Sequence, residues 1–220
     1  GIGTGFSCSI PPFYPKQLIH YLKEKLNNKS TDSIEFVPYY EGFKGTVKQL
    51  EEHKYLIKGC YEKTGVNSIC ITELPIGTWT MPYTSFIEGL VEGGVDKNGK
   101  KVQPTLRDYS SLCTEVNIHI NVTFPQGKIE ELENIVDSVT GVNGLEKLLK
   151  LATTVSTTNM HMFDDQCKLH KYKNVSEIID SFYHVRLDVY KKRKAYLVAD
   201  LEKKLIKLSN KARYINENLK

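Results

Sequence analysis

The sequence predicts an α+β fold: an antiparallel sheet with packed helices, followed by a long helical (coiled-coil) arm. Three observations predict it. Residues 45–75 and 117–124 alternate apolar and polar positions, the two-residue period of a strand with one face covered. Residues 16–26 and 128–150 carry the longer helical period. From Asn174 onward neither Gly nor Pro interrupts the chain, and one helix of that length would span roughly 65–70 Å. A division into a body, residues 1–173, and an arm, residues 174–220, is expected. The 220 residues are 40% hydrophobic and 10% aromatic, enough for one large or two small buried cores. With a formal net charge of only +4, that composition excludes a disordered chain. No apolar run approaches the roughly 20 residues that a bilayer span needs, so a membrane partner is not expected.

Each element has its own local reason. The opening GIGTGFSCSIPPFYP carries three glycines and three prolines and is expected to be an ordered loop. A helix over Lys16–Leu26 places Leu18, Ile19, Leu22 and Leu26 on one face. Residues 45–75, punctuated by glycine, predict a three-stranded antiparallel meander. A short helix near Tyr83–Leu90 leads into VEGGVDKNGKK, an exposed excursion by composition. NIHINVTF, residues 117–124, is a strand; residues 128–150 are helical with an interruption near Thr140–Gly144. A strand pair over 153–163 and 167–172 turns around Asp164–Gln166. Asn174 and Glu177 then have the spacing of a capping box. Further along, Leu197, Leu201, Leu205, Leu208, Ala212 and Ile215 form a heptad-like seam for a partner helix. The alternative is a helix lying on its own domain. The chain starts at Gly1 and stops at Lys220 inside that helical pattern, as a piece of something longer would.

Charge is unevenly spread. Residues 168–220 hold 14 Lys and Arg against 6 Asp and Glu, a net of +8, whereas residues 1–167 are mildly acidic. A basic helix on an acidic body points to nucleic acid or another anion, with a solvated helix face as the simpler alternative. The five cysteines (Cys8, Cys60, Cys70, Cys113, Cys167) are odd in number and form no CxxC pair. A disulfide framework or zinc knuckle is not expected, and an intracellular, reducing compartment fits better.

Few motifs carry chemistry. GIGTG is not spaced as GxGxxG and is followed by no P-loop Lys-Ser/Thr, so a glycine turn is the better reading. Asp164-Asp165 has no third converging acid in sequence and fits a turn better than a metal site. The six histidines show no HxxxH or HExxH spacing, and no GxSxG elbow is present. The sequons at Asn28, Asn121 and Asn174 are chance matches in an intracellular protein. No catalytic residue and no metal ligand is assigned. Ile10-Pro11-Pro12-Phe13 is more distinctive. Proline pushes Ile10 to an extended backbone, and two prolines fix the direction that follows. A rigidly presented aliphatic side chain is what a DNA-kinking wedge requires. A core isoleucine anchoring a loop is the commoner alternative.

Several unusual strings stand in a fixed order: GIGTGFSCSIPPFYP, YYEGFKGT, ITELPIGTWT, TTNMHMFD and FYHVRLDVYKKRKAYL. Together they resemble the tower (shoulder) region of type IIA DNA topoisomerases, in the eukaryotic-type topoisomerase II branch rather than bacterial gyrase. The resemblance covers the chain from Gly1 to at least Arg213. Divergence between the strings resembles the enzymes of large DNA viruses. The resemblance implies that the nucleophilic tyrosine, the magnesium-binding acids and the ATPase module all lie upstream of this chain. None of the 13 tyrosines is then the nucleophile. ATP and magnesium are implied for the parent enzyme, with no cofactor in this segment.

The same resemblance implies double-stranded DNA as partner and a homodimeric parent enzyme, working in the nucleus or at cytoplasmic viral replication sites. The family's isoleucine that inserts between base pairs maps onto Ile10. Pro11 braces it, and Lys16 and Lys44, the latter in GFKG, are implied DNA-binding residues. Gly77 departs from the pattern, standing where many relatives carry arginine. Two alternatives belong to other classes: a non-enzymatic DNA-binding architectural module, and a coiled-coil scaffold.

Overall fold

One glycine divides the alternating stretch between two sheets. In a computed structural model that describes residues 5–95 and 101–218, residues 45–75 form four strands rather than three. These are β1 (Thr46–Glu51), β2 (Lys54–Lys58), β3 (Cys60–Lys63) and β4 (Ser68–Glu73). β1 and β2 join one sheet, β3 and β4 another, and Gly59 sits at the change. Its amide donates to the Leu151 carbonyl at 2.8 Å. A Cβ at Gly59 would run into the Glu73 backbone carbonyl, so only glycine lets the chain pass. The expected meander is corrected for that reason: period-2 patterning marks strands but not which sheet each joins.

The remaining elements are α1 (Pro15–Leu26), α2 (Thr80–Glu92), β5 (Gly94–Val95), β6 (Lys101–Val102), β7 (Asp108–Ser111) and β8 (Ile120–Thr123). Then come α3 (Lys128–Asn134), α4 (Gly144–Leu148), β9 (Ala152–Ser156), β10 (His161–Phe163), β11 (Leu169–Lys171) and α5 (Val175–Asn218). The α+β class holds. The chain divides into two units, Ile10–Thr158 and Gly1–Ser9 with Asn159–Lys220.

In the larger unit the four-stranded sheet runs β3-β4-β8-β7, antiparallel throughout. Register places Ile69 opposite Val122 and Ile71 opposite Ile120, and all four side chains are fully buried. Tyr83 and Ile87 of α2, Ile129 of α3, and Leu145 of α4 with the following Leu149 close over that face. The Tyr83 hydroxyl donates to the Leu149 carbonyl at 2.7 Å, and burial pushes its pKa up. α4 opens on a complete capping box: Asn143 Oδ1 accepts the Glu146 amide at 2.7 Å and Glu146 Oε2 accepts the Asn143 amide at 2.9 Å. The other Glu146 oxygen, Oε1, meets Lys58 Nζ at 2.5 Å, tying α4 to β2.

Three further expectations shift here. The helix over 128–150 is two short helices, α3 and α4, with the interruption over 135–143 carrying a bridge between Val136 and Asn143. β7 (DYSS) was not expected, because it has no apolar alternation; pairing with β8 makes it a strand. α1 buries Tyr21 rather than the leucine stripe, leaving Ile19 and Leu26 exposed. Tyr21 packs on Phe36 with ring centroids 5.5 Å apart, an aromatic contact that an aliphatic count along α1 does not register. The excursion after α2 begins and ends in the two-residue pair β5–β6; its tip lies outside the described residues, as does most of GIGTG.

In the smaller unit the expected strand pair is shorter. β10 pairs with β11, while β9 pairs with β2 in the larger unit's three-stranded sheet β1-β2-β9. Asp164 Oδ1 accepts the amides of Gln166 and Lys168 at 2.9 and 2.8 Å, a turn role. At the start of α5, Asn174 Oδ1 accepts the Glu177 amide at 2.8 Å. Glu177 reaches back one residue further than expected, to the Lys173 amide at 2.6 Å. That bond, aided by His170, holds the Glu177 carboxyl below its ordinary pKa. α5 runs 44 residues and buries none of them.

Candidate nucleic-acid interface

Ile10 opens the larger unit, and the residues after it are pinned by aromatic packing. Pro11 is buried. The Pro12 carbonyl accepts the Tyr39 amide at 2.9 Å, and Phe13 forms an antiparallel bridge with Pro38. The Phe13 ring meets Phe36 edge-on with centroids 6.2 Å apart, and the Tyr55 hydroxyl donates to the Phe36 carbonyl at 3.2 Å. Within the smaller unit, the Ser9 amide donates to the Asn159 carbonyl at 2.8 Å, and Asn159 Nδ2 donates to Ser7 Oγ at 3.0 Å. The backbone is thus held immediately before and after Ile10, whose own side chain is 37% exposed. That exposure excludes the fully buried core anchor that local sequence left open.

Lys16 and Lys44 are both exposed. Lys16 lies in the first turn of α1, its amine 6.0 Å from the Tyr14 ring centroid. Lys44 is fixed by its backbone: its amide donates to Glu73 Oε2 at 3.3 Å, and its carbonyl accepts from Cys60 Sγ at 3.3 Å. Neither amine has an ion-pair partner among the described residues. Their sequence neighbours meet across one open groove of about 340 Å³, with Tyr14 and Gln17 from one segment and Phe43 and Gly45 from the other. Tyr39 and Tyr40 also line it, which sequence reading did not anticipate. Tyr39 donates to Glu41 at 2.5 Å, and that bond to a carboxylate raises the Tyr39 pKa. No spacing rule links Tyr14 to Tyr39, so only folding could bring these two rings to a centroid distance of 4.7 Å.

The ITELPIGTWT string shows a second exposed feature. Gly77 has φ +85, a left-handed backbone that disfavours side chains, although a Cβ there would meet open space. Two residues on, Trp79 is 78% exposed and Met81 79%. The sequence displayed this motif without revealing that Ile71 and Leu74 are buried while Trp79 faces solvent.

No group of three or more His, Cys, Asp or Glu able to hold a metal ion occurs among the described residues. All five cysteines are free. No helix among the described residues is long and apolar enough to cross a membrane.

Antiparallel sheets with packed helices, an exposed aliphatic residue on a held loop and a long basic helix define an α+β class, and comparison with known proteins gives its family. The Plasmodium falciparum topoisomerase II DNA-binding, cleavage and re-ligation domain superposes with a TM-score of 0.79 at 33% identity, covering 93% of this chain and 26% of that one. DNA topoisomerase 2 of Bombyx mori is 37% identical over 216 residues, 98% of this chain and 13% of the relative. DNA topoisomerase 2-alpha of Rattus norvegicus is 32% identical over 220 residues, 100% of this chain and 13% of the relative. The family model for the A-type subunit of DNA gyrase/topoisomerase IV matches residues 1–220, and the chain belongs to that family. It spans about 13% of the length of these curated relatives.

Proposed function

We propose that this chain is the tower segment of an ATP-dependent type II DNA topoisomerase that passes one duplex through a transient double-strand break in another. Its part is to bind and bend the broken, or gate, duplex and to link that gate to the exit gate through α5. Ile10 is the wedge inserted between base pairs, Pro11 its brace, and Lys16 and Lys44 hold phosphates beside it. Bending a 20–30 base-pair site costs on the order of 1–6 kcal/mol, offset by the added backbone contacts that the bend permits. A residue that unstacks bases must be ordered beforehand, or ordering it would consume the binding energy. The observation that carries the reading is Ile10, 37% exposed on a backbone held at Ser9 and buried at Pro11.

The parent enzyme is an intracellular homodimer, and ATP and magnesium act in its other segments. The exposed seam from Leu197 to Ile215 pairs with another helix of that assembly. A large DNA virus as source is part of the same proposal and rests on divergence between the shared strings. Family membership does not favour the architectural module or the scaffold. The test is Ile10→Ala in the parent enzyme. Bend angle and cleavage should fall while thermal stability changes by less than about 1.5 kcal/mol, since the side chain is already partly solvated. A folded variant that bends DNA normally would sink the wedge. This chain alone should neither cleave nor relax supercoiled plasmid; a covalent adduct on any of its tyrosines would refute the division of labour.

A further inference from the structure

α5 carries two distinct stripes, and only one of them is apolar. At about 100° per residue, the seam residues from Leu197 to Ile215 fall within an arc of about 80°. Arg193, Tyr196, Lys203, Lys207, Lys211 and Tyr214 fall within a neighbouring arc of about 80°. All six are exposed, Tyr196 at 72% and Tyr214 at 69%. The four cations have no ion-pair partner among the described residues. Asp200 is the one acid of α5 pointing into that arc, and Lys204 Nζ already neutralises it at 2.7 Å. The stripe from residue 193 to 214 extends about 32 Å at 1.5 Å per residue, close to the roughly 34–36 Å of one turn of duplex DNA.

We infer that this stripe is a second duplex-binding surface, separate from the Ile10 loop and the Lys16–Lys44 groove, and that it takes the sugar-phosphate backbone without reading sequence. Three features select that ligand. Lysines are compact charges suited to phosphates spaced along a backbone, and tyrosine hydroxyls donate to phosphate oxygens. A helix partner would be flanked by charges of both signs free to pair across a coiled coil; this flank offers four cations, and its one acid, Asp200, is already paired with Lys204. The seam lies on a different arc, so a helix docked there leaves the stripe open to solvent and to DNA. The inference goes beyond the proposed role of residues 10–44 and stands without it.

The test measures binding of this chain to a 30-base-pair duplex of arbitrary sequence across a salt series. Lys203→Gln/Lys207→Gln/Lys211→Gln is compared with Lys191→Gln/Lys194→Gln/Arg213→Gln, which removes the same charge from other arcs of α5. Gln keeps helix propensity, and circular dichroism confirms that α5 is intact in both. The stripe variant should weaken binding at least about tenfold and flatten the slope of log K against log salt by about 2.7, at 0.9 per phosphate released. The control should change the slope by less than about 1. Equal losses in both variants would reduce the stripe to net charge and overturn it, and no loss in either would do the same. Tight capture of an acidic helical peptide, competing with the duplex and abolished in the stripe variant, would reassign the surface to protein. An Ile10→Ala/Lys44→Gln variant should keep the stripe's share of the salt slope, so failure of the wedge and failure of the stripe are told apart.

Discussion

The four-stranded sheet and α5 use the same apolar residue types to opposite ends. Ile69, Ile71, Ile120 and Val122 are completely buried within their own unit. On α5, Leu197, Leu201, Leu205 and Leu208 are 46–67% exposed. The sheet satisfies its apolar surface internally and is a source of stability. α5 holds its surface outward, which leaves its hydrophobic free energy available to a partner. The pair teaches that a leucine's contribution is set by what covers it.

The largest expected effect breaks the comparison directly by making one chemical deletion in both regions. Leu149→Ala, at a fully buried site, should cost about 2–5 kcal/mol, the range for emptying a packed core position. Leu205→Ala, 67% exposed, should stay within about 0.5 kcal/mol in the isolated chain. Urea midpoints for the two variants check this, and similar midpoints would mean that α5 is covered after all.

A smaller effect sharpens the internal side. Glu146→Gln keeps the capping geometry of α4, since Gln serves at that position of the box, but leaves Lys58 without its partner. The pair is only partly solvated, its side chains 24% and 10% exposed, so a loss of about 2 kcal/mol is expected. Glu146→Ala should lose about 1 kcal/mol more through the cap. If the two variants melt together, the cap contributes nothing.

The smallest effect concerns the start of α5, where the side chains are at most half-buried. Asn174→Ala should cost about 1 kcal/mol of local helix stability, read as faster amide exchange in the first turn. Glu177 adds a pH dependence. Its folded pKa is depressed by the Lys173 amide, so its contribution is whole above the ordinary carboxylate range. That contribution is lost as pH falls through the depressed value. Protection of the first turn of α5 should therefore decline in acid, and a Glu177→Gln variant should lack that decline.

Sequence by itself determined the α+β class, the strand within 117–124, the strand character of 45–75, the start of the long helix after Asn174 and the basic character of α5. These follow from local periods, from proline and glycine punctuation, and from charge, all of which act within a few residues. The restricted backbone around Ile10 was legible for the same reason, since proline restricts its own φ and the residue before it. Tertiary structure alone decided that Gly59 splits one alternating stretch between two sheets, because the obstacle there is a carbonyl at Glu73. It alone made β7 a strand, turned α1 onto Tyr21, and gathered Tyr14, Tyr39 and Tyr40 around one groove. Those outcomes depend on backbone pairings and ring contacts between residues far apart in sequence, and a pattern of period two or 3.6 carries no record of which distant segment will supply the other side.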